Sequence, residues 1–219
     1  MRDSQRASRL YRAESWIRRA AALRRPDELD SRFISYWIAF NALYGQARDT
    51  AEERPREDSS MREFLGKMVR LAGASPGLRR TLQRIEGELL ELLKNQFLRR
   101  EYWEDGFTDG LDDKIHAAER EVQDALRGAG ALGRLLIQVF DSLYVLRIQV
   151  FHGCAKEGSS ANRASLEPAV AIVRRVVPLF WAIVKRAGAD EDWGPLSYPA
   201  WNRPGHPPEK RTRCFAVGH

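Results

Sequence analysis

The sequence predicts an all-α protein. Apolar residues recur at helical spacing along most of the 219-residue chain, Gly and Pro stand at the ends of those runs, and no stretch shows convincing strand alternation. The expected architecture is a helical bundle with an added helical hairpin and an irregular, proline-rich C-terminal tail. Residues 1–188 form one domain in this reading, and 189–219 form the tail.

From about Ser8 to Leu23, Leu10, Trp16, Ile17, Ala20 and Leu23 recur among arginines, which describes an amphipathic helix with a basic outer face ended by Pro26. The stretch "PDELDSRFISYWIAFNALYG" is acidic at its start, aromatic and aliphatic through its body, and closed by Gly45, as expected of a buried helix over about 28–45. Residues 46–60 are polar, carry Pro55 and lack periodicity, so an exposed loop is expected.

The section 61–127 is helical but less diagnostic. Phe64, Leu65, Met68 and Leu71 share one face of a helix from Met61. After "GASPG", Leu82, Ile85, Leu89, Leu92 and Leu93 do the same over about 78–97. These two runs are expected to pair as the hairpin. The segment "EYWEDGFTDGLDD" reads as turns, and a further helix opens near Asp109 or Asp112 and reaches about Arg127.

"LLIQVFDSLYVLRIQVFHG" is a nearly all-apolar helix stopped by Gly153. A last, long helix to about Arg186 carries Val170, Val173, Val176, Val177 and Phe180, with Pro178 removing one backbone hydrogen bond and a kink expected there. The core is expected from the helices at 28–45, 133–152 and 163–186, completed by the first helix or the hairpin. Beyond it the tail holds Trp193, Tyr198 and Trp201, which could dock on the bundle.

Composition narrows the function classes. The chain is 43% hydrophobic and 30% charged with net charge +6, which permits nucleic-acid binding without requiring it. Two cysteines, Cys154 and Cys214, and four histidines at 116, 152, 206 and 219 build neither a disulfide framework nor a zinc site. No metal and no cofactor are therefore expected. No continuous apolar segment of membrane-spanning length occurs, and no signal-like apolar region follows the N-terminus, so a cytoplasmic protein without a membrane partner is expected.

Two polar residues stand out in the apolar helix, Arg147 and His152. A buried guanidinium cannot shed its charge and needs acceptors, which Asp141 or a neighbouring carboxylate could supply. On a regular helix the two side chains diverge by roughly 140°. They converge only if the helix end turns at Gly153, or if each faces a cleft shared with a second copy. An imidazole that titrates near neutral pH and an arginine fork suit metal-independent RNA cleavage, because RNA carries its own 2′-hydroxyl nucleophile.

"RIQVFHG" resembles the Arg-x4-6-His signature of the HEPN superfamily. With "YWIAFNALYG" and "ANRASLEPAVAIVRRVVPLFWAIV" the chain is similar to the Apea-like HEPN group over about 28–45 and 133–186. The resemblance implies a helical bundle that pairs as a homodimer and brings both motifs to one cleft. It also implies an endoribonuclease of the toxin or defence type, with RNA as substrate and an antitoxin or other defence protein as partner. In it, Arg147 would bind the scissile phosphate and His152 would be the general acid or base. The place after the arginine, often polar in active members, holds Ile148, and the nearest amide, Gln149, is a candidate substrate contact. A non-catalytic module binding RNA, a nucleotide or a protein is the other reading. Asn41 in its apolar helix is a candidate for the cleft or for a core hydrogen bond, and Lys156 and Arg163 are candidate phosphate contacts.

Overall fold

Phe40 is the point on which four helices converge. Its ring lies 4.4 Å from Phe140, 5.8 Å from Phe64 and 6.2 Å from Phe180. It also lies 5.5 Å from Trp37 and 4.7 Å from Tyr44 on its own helix. Such tilted and edge-on contacts add about 0.5–1.5 kcal/mol each to the burial of the rings. The computed structural model describes residues 2–46, 57–73, 77–104, 110–128, 131–152, 160–187 and 191–196. Among them there are helices and connecting turns but no strand.

The helices are α1 (Arg2–Ala22), α2 (Leu29–Tyr44), α3 (Glu57–Ala72), α4 (Gly77–Gln83), α5 (Glu86–Lys94), α6 (Arg100–Glu104), α7 (Leu111–Arg127), α8 (Leu132–Phe151) and α9 (Ser160–Ala187). Short 3-10 turns, Pro26–Glu28 and Gln96–Leu98, precede α2 and α6. No described helix is long and apolar enough to cross a membrane. The most extensive packing is of α1 on α2 and of α2 on α9, so the first helix completes the core, to which α3 and α5 add their contacts with α8 and α9. Helix α9 continues through Pro168 and Pro178.

Three expectations need correction. The presumed loop 46–60 is helical from Glu57, because Met61, Phe64, Leu65 and Met68 are buried and the amphipathic helix they define extends a turn further back. Residues 47–56 lie outside the described residues. The expected hairpin is not one. The run from 78 breaks at Arg84 and Ile85, just before Gly87, a poor helix former, and α5 packs on α7, α9 and α8, while α3 packs mainly on α8 and α9. The segment read as turns begins with α6, whose Tyr102 ring is 5.2 Å from Phe97.

Helix ends are closed by side chains from neighbouring helices. Gly128, at φ 93°, ends α7 in a left-handed conformation that favours glycine. Arg79 and Gln83 of α4 donate to the last carbonyls of that helix, those of Ala125 (2.8 Å) and Leu126 (2.9 Å).

The segment 191–196 lies as a strap on the bundle, with Trp193 and Leu196 buried. Arg9 of α1 is wholly buried and holds it. Its guanidinium donates to the carbonyls of Leu43 (3.2 Å) and Gly45 at the end of α2, and to those of Trp193 (2.9 Å), Gly194 (3.0 Å) and Pro195 (3.3 Å). Charge-assisted bonds to a helix C-terminus satisfy carbonyls that would otherwise lack donors. Burial first, and the charge of Arg12 second, lower the pKa of Arg9 to about 10, so it stays cationic at neutral pH. From α3, Lys67 donates to the backbone carbonyl of Asp192 (2.8 Å) and Arg70 pairs with Glu191 (2.5 Å). Gly194 has φ 65°, a left-handed turn where a side chain would be strained. Tyr198 and Trp201 lie outside the described residues.

Candidate functional site: an arginine between two rings and an aromatic ledge

Helix α8 enters the core through Leu135, Leu136, Val139, Phe140, Leu143 and Leu146 and emerges from it at its last turn. Arg147 is half-buried there and Phe151 is 47% exposed. Residues three and four places from an arginine share its helix face. Accordingly, the guanidinium carbon lies 5.7 Å from the centre of the Tyr144 ring and 5.1 Å from that of Phe151. Each contact is worth about 0.5–1 kcal/mol and fixes the fork without using its hydrogen-bond donors.

No carboxylate contacts Arg147 among the described residues, and its Nε is buried without a hydrogen-bond partner. The anticipated anchor, Asp141, is paired instead with Arg62 of α3 at 2.5 Å. A guanidinium so placed can take an anionic partner.

His152 is exposed at the C-cap of α8. Its backbone N–H still donates to Ile148 (3.0 Å), with φ −90° and ψ 8°, so helical hydrogen bonding runs to the end of α8 and His152 keeps its helical place five residues after Arg147. The divergence of roughly 140° persists within one copy. The imidazole has no partner among the described residues. Gly153 and Lys156 lie outside them.

Other candidates are placed differently from expectation. The side chain of Gln149 is committed to a structural bond, Nε2 donating to the carbonyl of Phe97 at 2.8 Å. Asn41 Oδ1 is buried without a hydrogen-bond partner, so the anticipated core hydrogen bond is not made through that atom. The connection from its helix to the site runs through Trp37, whose ring is 6.2 Å from Tyr144. Arg163 donates to the Pro26 carbonyl. His116 is paired with Glu119 at 3.2 Å, and the carboxyl of Glu119 is held below its ordinary range first by the hydrogen bond from Lys94 and then by that from His116.

Sequence reasoning missed the segment 97–103. Phe97 is 46% and Trp103 59% exposed, and with Tyr102 they form a ledge of touching rings: 5.2 Å from Phe97 to Tyr102, 5.1 Å from Tyr102 to Trp103 and 6.5 Å from Phe97 to Trp103. Trp103 Nε1 donates to the Phe97 carbonyl (2.9 Å), the same oxygen that accepts from Gln149, so the ledge is tied to α8. Arg100 lies 5.7 Å from the centre of the Tyr144 ring. The signal was present as two adjacent aromatics, Tyr102 and Trp103, in an otherwise polar segment.

Among the described residues no group of three or more His, Cys, Asp and Glu side chains could hold a metal ion. Comparison with family models, with curated proteins and with solved structures finds no match to this chain.

Proposed function

We propose that the protein is a HEPN-type endoribonuclease that cleaves RNA without a metal ion, using Arg147 and His152 in a cleft between two copies of the chain. The observation that carries this reading is the guanidinium of Arg147, held between the rings of Tyr144 and Phe151 with no carboxylate against it among the described residues. It can take a phosphate as its anionic partner. The 2′-oxygen of the substrate attacks the adjacent phosphorus, the bond from phosphorus to the 5′-oxygen breaks, and a 2′,3′-cyclic phosphate and a 5′-hydroxyl result. One imidazole takes the 2′-hydroxyl proton and a second gives a proton to the departing 5′-oxygen. Because His152 and Arg147 leave α8 on different sides, the reading requires a second copy to bring one motif toward the other.

The test is incubation of the purified chain with mixed RNA in EDTA, with the product termini determined. Cleavage leaving cyclic phosphates, lost in Arg147→Ala and His152→Ala, is the expected result. Cleavage retained by either variant overturns the mechanism. The second reading, a module that binds RNA without cutting it, is favoured by Ile148 beside the arginine and by the commitment of Gln149 to Phe97. Tight, salt-dependent binding without cleavage selects it.

A further inference from the structure

The geometry points to a base-stacking subsite beside Arg147, formed by Phe97, Tyr102 and Trp103, that takes an unpaired nucleotide of single-stranded RNA. The inference rests on the reading of Arg147 as a phosphate contact and deepens it, since it selects single strands over duplex.

Rings that served only the core would be buried as Phe40 and Phe140 are. Phe97 and Trp103 instead leave about half of their surfaces open, at 46% and 59%, and Phe151 beside Arg147 leaves 47%. The ledge is held in place: the indole N–H of Trp103 and the amide of Gln149 both donate to one carbonyl, that of Phe97, at 2.9 and 2.8 Å. Rings already fixed lose little freedom when a flat ligand lies on them.

Arg100, on the same short helix as Tyr102 and Trp103, and Arg147 share one ring: the centre of Tyr144 is 5.7 Å from both guanidinium carbons. The same patch thus offers open π surface and, in Arg147, a guanidinium that meets no carboxylate among the described residues. A ligand that matches both has a flat aromatic face and an anionic group next to it, which describes a nucleotide. In a duplex the base faces are covered by their neighbours, whereas a single strand presents them. The ledge supplies stacking, and the phosphate charge falls to Arg147.

A labelled 2′-O-methyl RNA 12-mer of unstructured sequence tests this, alone and annealed to its complement, by fluorescence anisotropy with the full chain. It lacks the 2′-hydroxyl nucleophile, so binding is read whether or not the protein cleaves RNA. The wild type is expected to prefer the single strand. Trp103→Ala is expected to weaken that binding about 5- to 150-fold, the range of one base stack on an aromatic ring. Trp103→Phe should retain it and duplex binding should not change. Single-strand affinity unaltered in both Trp103→Ala and Phe97→Ala overturns the proposal, as does equal binding of duplex by the wild type. Conversion of a dimer to a monomer by Trp103→Ala at unchanged oligomer affinity would give the ledge to a second copy and also overturn it. Binding that is weakened by Trp103→Ala but indifferent to Arg147→Ala would keep the ledge and remove the phosphate role of the arginine.

Discussion

Arg9 and Arg147 both project from helices into aromatic and aliphatic surroundings, and they end in opposite situations. Arg9 meets five backbone carbonyls and no solvent. Arg147 meets two ring faces, and the Nε of both arginines is buried without a hydrogen-bond partner. The terminal nitrogens make the difference: those of Arg9 are taken by carbonyl oxygens, whereas aromatic faces hold the Arg147 guanidinium without using its donors. The first arginine is a fastener between α1, α2 and the strap, and the second is a candidate anion contact. Burial alone does not distinguish a structural arginine from a functional one. The chemistry of its acceptors does.

The comparison can be broken by exchanging the consequences. Arg9→Ala leaves buried carbonyls without donors and is expected to lower stability by about 3–4 kcal/mol, read as a reduced urea midpoint. Arg147→Ala is expected to cost at most about 1 kcal/mol of stability, since only two cation–π contacts go. It should nevertheless lower RNA cleavage at least about 100-fold, the scale of a lost contact to transition-state charge. If the two variants behaved alike in unfolding, the assignment of roles would fail.

Smaller effects sharpen it. Phe151→Leu removes one face of the Arg147 clamp, and cleavage should fall about threefold to fivefold with the unfolding midpoint nearly unchanged. Gln149→Leu deletes the bond that ties the ledge to α8 and should lower stability by about 1 kcal/mol, with faster amide exchange in 97–103 as its local signature. Arg62→Ala breaks the partly exposed pair with Asp141 and should change stability by less than about 1 kcal/mol.

The long elements were legible because their apolar stripes are continuous. In α2, α8 and α9 the periodic residues proved to be the core, and Gly45 lies just beyond the end of α2. The α4–α5 break was not legible, because Leu82, Ile85 and Leu89 keep helical spacing straight across it and all three are buried. Arg9 was hidden among the other arginines of its helix. It stands four residues before Ala13 and eleven before Ala20, both fully buried, so helical spacing already put it on the inner face. Arg147 was conspicuous because its neighbours are apolar, but its clamp depends on Tyr144 and Phe151 three and four places away. The ledge needed the fold: Phe97 and Gln149 are 52 residues apart in the chain and meet at one carbonyl.

The most direct measurement follows the arginine Nε–H resonances of the ¹⁵N-labelled chain as an uncleavable 2′-O-methyl RNA oligomer is added. The account predicts that the Arg147 resonance shifts with saturation while that of Arg9 stays in place. A stationary Arg147 resonance with RNA-induced shifts confined to the arginines of α1 would contradict it.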